Sequence, residues 1–314
     1  MPSDTKGTVG QVGRWERALD AAGVREPGLR AEYGRQREQV TRYRREVAVA
    51  AGLLLPERTV PHVIAAAAFM HRTDTLLDSG PEAGRREAAA RWRREVTDGL
   101  ADGRTDDPGL RPLLHSAAAH PVLRERVLEY LAAADADLDF TGFDTEEDYQ
   151  RYVDGYSLPG FMVVAALLGP PGDQRAYRAA CRTFIDGSQR LDFVNDLAED
   201  LAEGRLTIPA RTLERHGVTR ADLEQARDRP AVRALLGELL DTAERTLAEG
   251  RAVIGLAPAA HRPMVRCVVE VETLTSAAAR ADLGALLHRS AGPAKPAALR
   301  LLAREYLRAR RHRR

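Results

Sequence analysis

VIAAAAFMHRTDTLLD, residues 63–78, is the stretch that decides the fold of this chain. Alanine and leucine are strong helix formers, and the apolar residues before Asp74 leave no polar face, so the stretch predicts a buried helix over about residues 62–77. Asp74 and Asp78 lie one turn apart on this helix. Burying a carboxylate is costly unless it is paired or binds a metal. The stretch therefore predicts a helical fold with a cation site at the end of this helix.

A second acidic stripe follows in LDFVNDLAED, residues 191–200, where three aspartates alternate with apolar side chains. Aspartates four residues apart share one helix face, but seven pairs in this chain have that spacing, so spacing alone selects none of them. The apolar setting selects two pairs. Magnesium prefers oxygen ligands and binds one or two carboxylates together with substrate phosphates. We therefore expect magnesium over one diphosphate, between the pairs Asp74/Asp78 and Asp196/Asp200.

The composition agrees with an all-α fold. Aromatic residues make up 5% of the 314 residues, and alanine, leucine and valine supply most of the apolar share, which favours helices over strands. No low-complexity linker divides the chain. We expect an N-terminal helical extension at residues 1–44 and one helical domain at residues 45–314.

Charge and hydropathy exclude several classes of protein. The formal net charge of +1 argues against a nucleic-acid-binding protein, and the longest uncharged stretch, residues 155–172, is broken by prolines, so no membrane span is predicted. The arginine-rich residues 299–314 are either a solvated terminal helix or a weak peripheral contact with anionic lipid or diphosphate. The charged N-terminus and two cysteines without metal-binding spacing predict a cytoplasmic protein.

Several segments resemble the squalene/phytoene synthase family. DTLLD at 74–78, preceded by AAFMHRT, is similar to the first aspartate motif, and SQRLDFVNDLAEDLAEGRLTIPARTLERHGVTRADL at 188–223 is similar to the second. GLLLPERTVPHVIAAAAF at 52–69 resembles the segment that leads into the first motif. YVDGYSLPGFM at 152–162 takes the place of a tyrosine-led, glycine-kinked helix. The resemblance covers about residues 45–290.

This resemblance implies an isoprenoid-synthase helical bundle with a central cavity and three magnesium ions. The implied metal ligands are Asp74, Asp78, Asp196 and Asp200. Gln189 matches a family position near the metal site, and Asp192 is either a fifth ligand or a residue that holds Gln189 or water. We expect an allylic prenyl diphosphate as the substrate.

The chain departs from the family where a second diphosphate would bind. Asn195 stands in place of an arginine, His71 replaces another arginine and has Arg72 beside it, and Thr207 replaces a tyrosine. The segment RREVAVAAG at 44–52 lacks the usual hydroxyls. Arginine binds phosphate in a bidentate manner, so these changes indicate that one diphosphate is bound. The candidate diphosphate-binding residues are His71, Arg72, Asn195, Arg205 and Arg266.

The cation formed by ionisation must then meet another nucleophile. Aromatic rings can stabilise a cation through their faces, and the candidate cavity or acceptor-binding residues are Tyr152, Tyr156, Phe161 and Phe193. We expect prenyl transfer, with dimethylallyl favoured, to a small aromatic acceptor such as a carbazole. His71, a tyrosine near residues 149–156 or the released diphosphate would take the ring proton. Head-to-head synthesis of a squalene- or phytoene-like product, terpene cyclisation and a non-enzymatic scaffold remain alternatives, and the protein is a monomer or a homodimer.

Overall fold

A computed structural model describes residues 13–78, 82–134, 140 and 142–312, with the side chains of residues 78, 82 and 83 excepted. These residues form helices joined by short connections and contain no strand, which confirms the predicted all-α class. Among them, no helix is both long enough and apolar enough to cross a membrane.

The helices follow one another closely along the chain. The first half contains α1 (Arg14–Ala21), α2 (Pro27–Tyr43), α3 (Arg45–Leu54), α4 (Val60–Asp78), α5 (Glu82–Asp102), α6 (Arg111–Ala119), α7 (Pro121–Ala133), α8 (Glu146–Tyr152) and α9 (Leu158–Leu168). The second half contains α10 (Arg175–Asn195), α11 (Leu197–Ala202), α12 (Ala210–His216), α13 (Arg220–Glu224), α14 (Pro230–Gly250), α15 (Ala252–Leu256), α16 (Arg262–Ala281) and α17 (Lys295–His312).

Helix α4 is the buried helix that the opening stretch predicts. It extends to Asp78, and side chains such as Val63, Ile64 and Phe69 are buried. It packs against α2 on one side and against α5 and α9 on others, so most of its surface faces protein. The sequence SGP at residues 79–81 predicts the end of this helix, and it lies outside the described residues.

Two glycines fix the close packing of α10 against α14. A Cβ atom on Gly187 would lie 2.7 Å from the backbone nitrogen of Leu247, and one on Gly250 would lie 2.6 Å from Cα of Phe184. Because backbone cannot give way as a flexible side chain can, only glycine fits at these positions. The contact holds α10, and with it the second acidic motif, firmly in the bundle.

The irregularity expected at Pro159 and Gly160 takes the form of a π-helical turn at Val153–Ser157. The amide of Leu158 donates to the carbonyl of Val153, five residues earlier. Proline has no amide hydrogen and its ring crowds the carbonyl four residues before it, which favours this wider turn. Such turns are frequent at functional sites, and this one precedes the helix that packs against α4, α7 and α10.

Candidate active site

The three aspartates of the second motif share one face across a helix break. The sequence predicts one helix over about residues 173–203, but the structure ends α10 at Asn195 and begins α11 at Leu197. The amide of Asp196 still bonds to the carbonyl of Asp192 at 2.8 Å, and that of Asp200 bonds to Asp196 at 2.9 Å. The helical spacing is kept, so the three carboxylates lie on the same side.

Burial and neighbouring charges disfavour ionisation of these carboxylates. Burial, followed by the charge of Asp196, raises the pKa of Asp192 to about 6. Burial likewise raises the pKa of Asp200 to about 6, against the nearby Arg205 guanidinium, which lowers it. The Asp192 side chain is nevertheless exposed to solvent, so a ligand can reach it. Burial and like charge both disfavour the ionised form, and a bound cation would offset both.

Two charged residues beside this motif were missed at the sequence level. Arg44, between α2 and α3, lowers the pKa values of Asp192 and Asp196 through its charge. Glu272 on α16 accepts a 3.1 Å hydrogen bond from the hydroxyl of Ser188, and burial raises its pKa to about 7. Both come from segments remote in sequence. The sequence feature that could have drawn attention to Arg44 is the arginine pair that begins RREVAVAAG.

The first motif is held by a tyrosine that the sequence did not indicate. The hydroxyl of Tyr130, on α7, donates a 2.7 Å hydrogen bond to Oδ1 of Asp74. The Tyr130 ring approaches Gly160 so closely that a Cβ atom there would lie 3.3 Å from Cε2 of the ring. Gly160 therefore leaves the space that lets Tyr130 reach Asp74.

Aromatic rings connect the two aspartate regions. Ring centroids lie 6.2 Å apart between Tyr130 and Tyr156, 5.2 Å between Tyr156 and Tyr152, and 6.0 Å between Tyr152 and Phe193. Tyr152 and Tyr156 are partly exposed, whereas Phe193 is buried. The structure thus brings three of the four predicted cavity residues into one series. The fourth, Phe161, packs instead against Phe184, with centroids 5.6 Å apart.

Gln189 belongs to the same side of α10 as the aspartates. It lies three residues before Asp192 and seven before Asp196, which is the spacing of one helix face. Its Oε1 accepts a 2.9 Å hydrogen bond from the hydroxyl of Ser157. The π-helical turn thus fixes the orientation of Gln189 beside the second motif.

Two of the predicted diphosphate-binding arginines are engaged elsewhere. Arg72 forms a 2.6 Å ion pair with Asp107, and its guanidinium lies 4.0 Å from the centroid of Trp92. Arg266 forms a 3.1 Å ion pair with Glu305, which is fully buried. These arginines serve packing between helices, so the structure gives no support to a phosphate-binding role for either.

Asn195 and His71 also have partners within the protein. The Asn195 amide donates to the carbonyl of Ala291 at 3.0 Å and accepts from the amide of Ala291 at 2.7 Å, and its other donor reaches Asp196 at 3.3 Å. The amide thereby ties the segment before α17 to the second motif. The His71 ring stacks on Tyr43, with centroids 3.7 Å apart.

Arg205 and Thr207 lie beside Asp200. The charge of Arg205 lowers the pKa of Asp200, and its guanidinium lies 5.2 Å from the centroid of Phe140. The Thr207 hydroxyl donates to Oδ2 of Asp200 at 3.4 Å. Of the three predicted diphosphate-binding arginines, Arg205 is therefore the one whose charge acts on a carboxylate of the second motif.

The donor set suits magnesium bound partly by substrate. Within the described residues, no three histidine, cysteine, aspartate or glutamate side chains form a ready-made metal cluster. Magnesium needs only one or two carboxylates per ion when phosphates and water complete its shell. The accessible Asp192, the raised pKa values and the hydrogen-bonded Asp74 fit such an ion, in which the diphosphate itself supplies oxygen ligands.

Comparison with known proteins agrees with these features. The model of the family described as squalene/phytoene synthase matches residues 40–291. The chain is 30% identical over 220 residues to the bifunctional protein CrtB/UppS of Streptomyces coelicolor, with 70% of this chain and 38% of that protein covered. It is 31% identical over 212 residues to the chloroplastic phytoene synthase 3 of Zea mays, with 64% and 48% covered. The chain thus spans less than half the length of these curated relatives.

Solved structures share the fold. A dehydrosqualene synthase in complex with ligand superposes with a TM-score of 0.77 at 18% identity, covering 93% of this chain and 99% of that one. The squalene synthase HpnC from Alicyclobacillus acidocaldarius superposes with a TM-score of 0.71 at 24% identity, covering 86% and 99%. The helical fold predicted from the two motifs is therefore shared with these solved structures.

Proposed function

Since the chain belongs to the squalene/phytoene synthase family, we propose that it is a magnesium-dependent prenyltransferase that ionises an allylic prenyl diphosphate. The observation that carries this proposal is the shared face of Asp192, Asp196 and Asp200, where burial and the charges of neighbouring carboxylates raise the pKa values. A bound magnesium ion would relieve that repulsion and could in turn bind oxygens of the diphosphate.

Asp74, Asp78, Asp196 and Asp200 would hold the metal, as three ions in the arrangement that the family resemblance implies. Magnesium would supply neutralisation of the charge that develops on the leaving diphosphate. The Tyr130 hydroxyl orients Asp74. Gln189, fixed by Ser157, and Asp192 would position water or substrate oxygen beside these ligands.

The cationic side chains suited to the diphosphate are Arg44 and Arg205. Each lies close enough to the second motif to lower the pKa of at least one of its aspartates. Arginine presents a planar pair of donors to phosphate oxygens. We infer that Arg205, from the predicted set, binds the diphosphate together with Arg44, in place of His71, Arg72, Asn195 and Arg266.

We propose that the acceptor is a small aromatic molecule such as a carbazole and that dimethylallyl diphosphate is the favoured donor. Breaking the C1–O bond leaves its electron pair on diphosphate, a ring carbon attacks the cation, and the ring proton passes to the released diphosphate. Tyr152 and Tyr156 would line the slot with partly exposed π faces. Support comes from Asn195 and Arg72, whose polar groups are engaged within the protein.

Head-to-head coupling of two prenyl diphosphates is the second candidate. It is favoured by the phytoene synthases among the relatives. It is also favoured by the two arginines, Arg44 and Arg205, that lie beside the second motif. It would require a binding site for a second diphosphate. Cyclisation of a single prenyl diphosphate, the remaining alternative from the sequence, needs neither a second diphosphate nor an acceptor.

Incubation of the protein with magnesium and single prenyl diphosphates of increasing length separates these candidates. Diphosphate release that requires added carbazole, with a prenylated ring as the product, is the expected result. A long hydrocarbon formed from farnesyl or geranylgeranyl diphosphate alone would establish head-to-head coupling instead, and a cyclic terpene would establish cyclisation. No release under any of these conditions would contradict the whole proposal.

A further inference from the structure

Helix α17 has an outer face that the catalytic proposal does not use. Leu301, Glu305 and Ala309 are buried at four-residue intervals and face α3 and α16, against which α17 packs. Leu299 and Leu307 lie off this line, with 66% and 58% of their surface exposed. Leaving both leucines in water forgoes the free energy gained when apolar surface is buried. The outer face of α17 therefore needs an explanation.

Most of the large exposed apolar side chains belong to helices that are neighbours in the fold. The large apolar residues exposed in the described part of the chain are Leu299 and Leu307 on α17, Val49 on α3, Tyr43 at the end of α2, and Leu256 on α15. The first four belong to α17 or to the α2–α3 corner, and α3 packs against α17. Scattered single residues would need no explanation, but two of these five side chains share α17, and two more belong to the α2–α3 corner beside it.

Positive charge surrounds these leucines. Residues 295–312 carry six cationic side chains, Glu305 being the one acidic residue. Glu305 is fully buried and engages Arg266, Arg304 and Arg308. Arg300 and Arg311 are exposed and form no ion pair within the described residues. The outer surface of α17 therefore combines exposed leucine with uncompensated arginine.

We propose that α17, together with the exposed corner formed by Tyr43 and Val49, docks this protein on an anionic lipid bilayer. A helix with basic and apolar residues side by side lies in the membrane interface with its apolar side chains among the acyl chains. Arginines near a negatively charged leaflet each add attraction. With exposed Arg300 and Arg311 beside exposed Leu299 and Leu307, α17 would lie in the plane of the membrane interface. The proposal is independent of the reaction that the site performs.

Co-sedimentation of the full chain with lipid vesicles tests this surface. The protein is expected to sediment with vesicles of phosphatidylcholine and phosphatidylglycerol, and much less with phosphatidylcholine alone or at high salt. The double substitution Arg300→Gln and Arg311→Gln lowers the partition coefficient between vesicles and water roughly tenfold or more. The double substitution Leu299→Ser and Leu307→Ser lowers it comparably. Leu256→Ser, an exposed leucine outside the surface, is the matched control and leaves binding unchanged. Thermal melting shows that each variant is folded.

Three results would overturn the proposal. The first is wild-type protein that stays in the supernatant with anionic vesicles. The second is binding that neither pair of substitutions weakens. The third is self-association without lipid that the leucine substitutions abolish, which would assign the surface to a second copy of the chain.

Discussion

The hydroxyl of Tyr130 donates a 2.7 Å hydrogen bond to Oδ1 of Asp74, which joins α7 to the first aspartate motif. Burial, followed by the nearby Tyr156 and Asp74, raises the pKa of Tyr130 well above its usual value. The phenol therefore stays protonated and serves as a fixed donor. Through this bond the carboxylate of Asp74 is oriented before any ligand arrives.

Tyr130→Phe should weaken magnesium binding while it preserves the fold, because the ring remains and only the hydroxyl is lost. Outer hydrogen-bond partners of metal ligands typically contribute about 10- to 100-fold in affinity or activity. The magnesium concentration for half-maximal diphosphate release should rise accordingly. Tyr177→Phe is the control, since its hydroxyl donates to the backbone carbonyl of Ala165. An unchanged magnesium requirement in Tyr130→Phe would show that the bond has no role in metal binding.

Arg44→Gln should raise KM for the prenyl diphosphate by about tenfold, as expected for loss of one charge-assisted contact to phosphate. Arg44 and its neighbour Arg45 are both exposed, but Arg44 is the one whose charge acts on Asp192 and Asp196. Arg45→Gln therefore serves as the matched control in steady-state kinetics. Equal effects of the two substitutions would indicate a general influence of charge and not a binding contact.

Gly187→Ala should destabilise the protein by about 1–3 kcal/mol, the usual cost of overpacking. The added Cβ would lie 2.7 Å from the backbone nitrogen of Leu247, so the two helices would have to separate. Urea denaturation would measure the loss in free energy of unfolding. Gly34→Ala on α2, where a Cβ meets nothing within 4 Å, should cause no loss. Equal stability of both variants would contradict the close helix contact.

A buried group of histidines lies apart from the aspartates, at the start of α4. His62 is 3% exposed, its ring centroid lies 4.5 Å from that of His120, and its Nδ1 lies 3.0 Å from the hydroxyl of Ser116. Burial, followed by the charges of His120 and His115, lowers the pKa of His62 to about 3. The other polar or charged groups around this cluster are Tyr33, Arg58, Thr59 and His261.

This cluster predicts a loss of stability in acid. The unfolded chain binds a proton at His62 below about pH 6.5, whereas the folded chain does so only near pH 3, so the free energy of unfolding falls as pH decreases between these values. The slope for one such proton is about 1.4 kcal/mol per pH unit. His62→Asn should flatten the profile, and His288→Asn, at an exposed position, should not. Parallel profiles for wild type and His62→Asn would contradict the assignment.

Contacts within one helix could be predicted from the sequence, and contacts between distant helices could not. The apolar run before Asp74 predicts α4, and the stripe from Asp192 to Asp200 predicts a shared face, because helical periodicity is local. Tyr130 and Glu272 reach the two motifs from α7 and α16, and no local pattern marks them. The break at Asp196 was missed because the apolar periodicity of the sequence continues through it.

The most direct measurement of the central claim compares magnesium-dependent diphosphate release by wild type and Asp196→Asn. The substitution keeps the size of the side chain and removes its charge, and it should lower release at least about a hundredfold. Asp98→Asn, from an exposed aspartate pair on α5, should leave release unchanged. Release by Asp196→Asn at the wild-type rate, or release that persists without magnesium, would contradict the account.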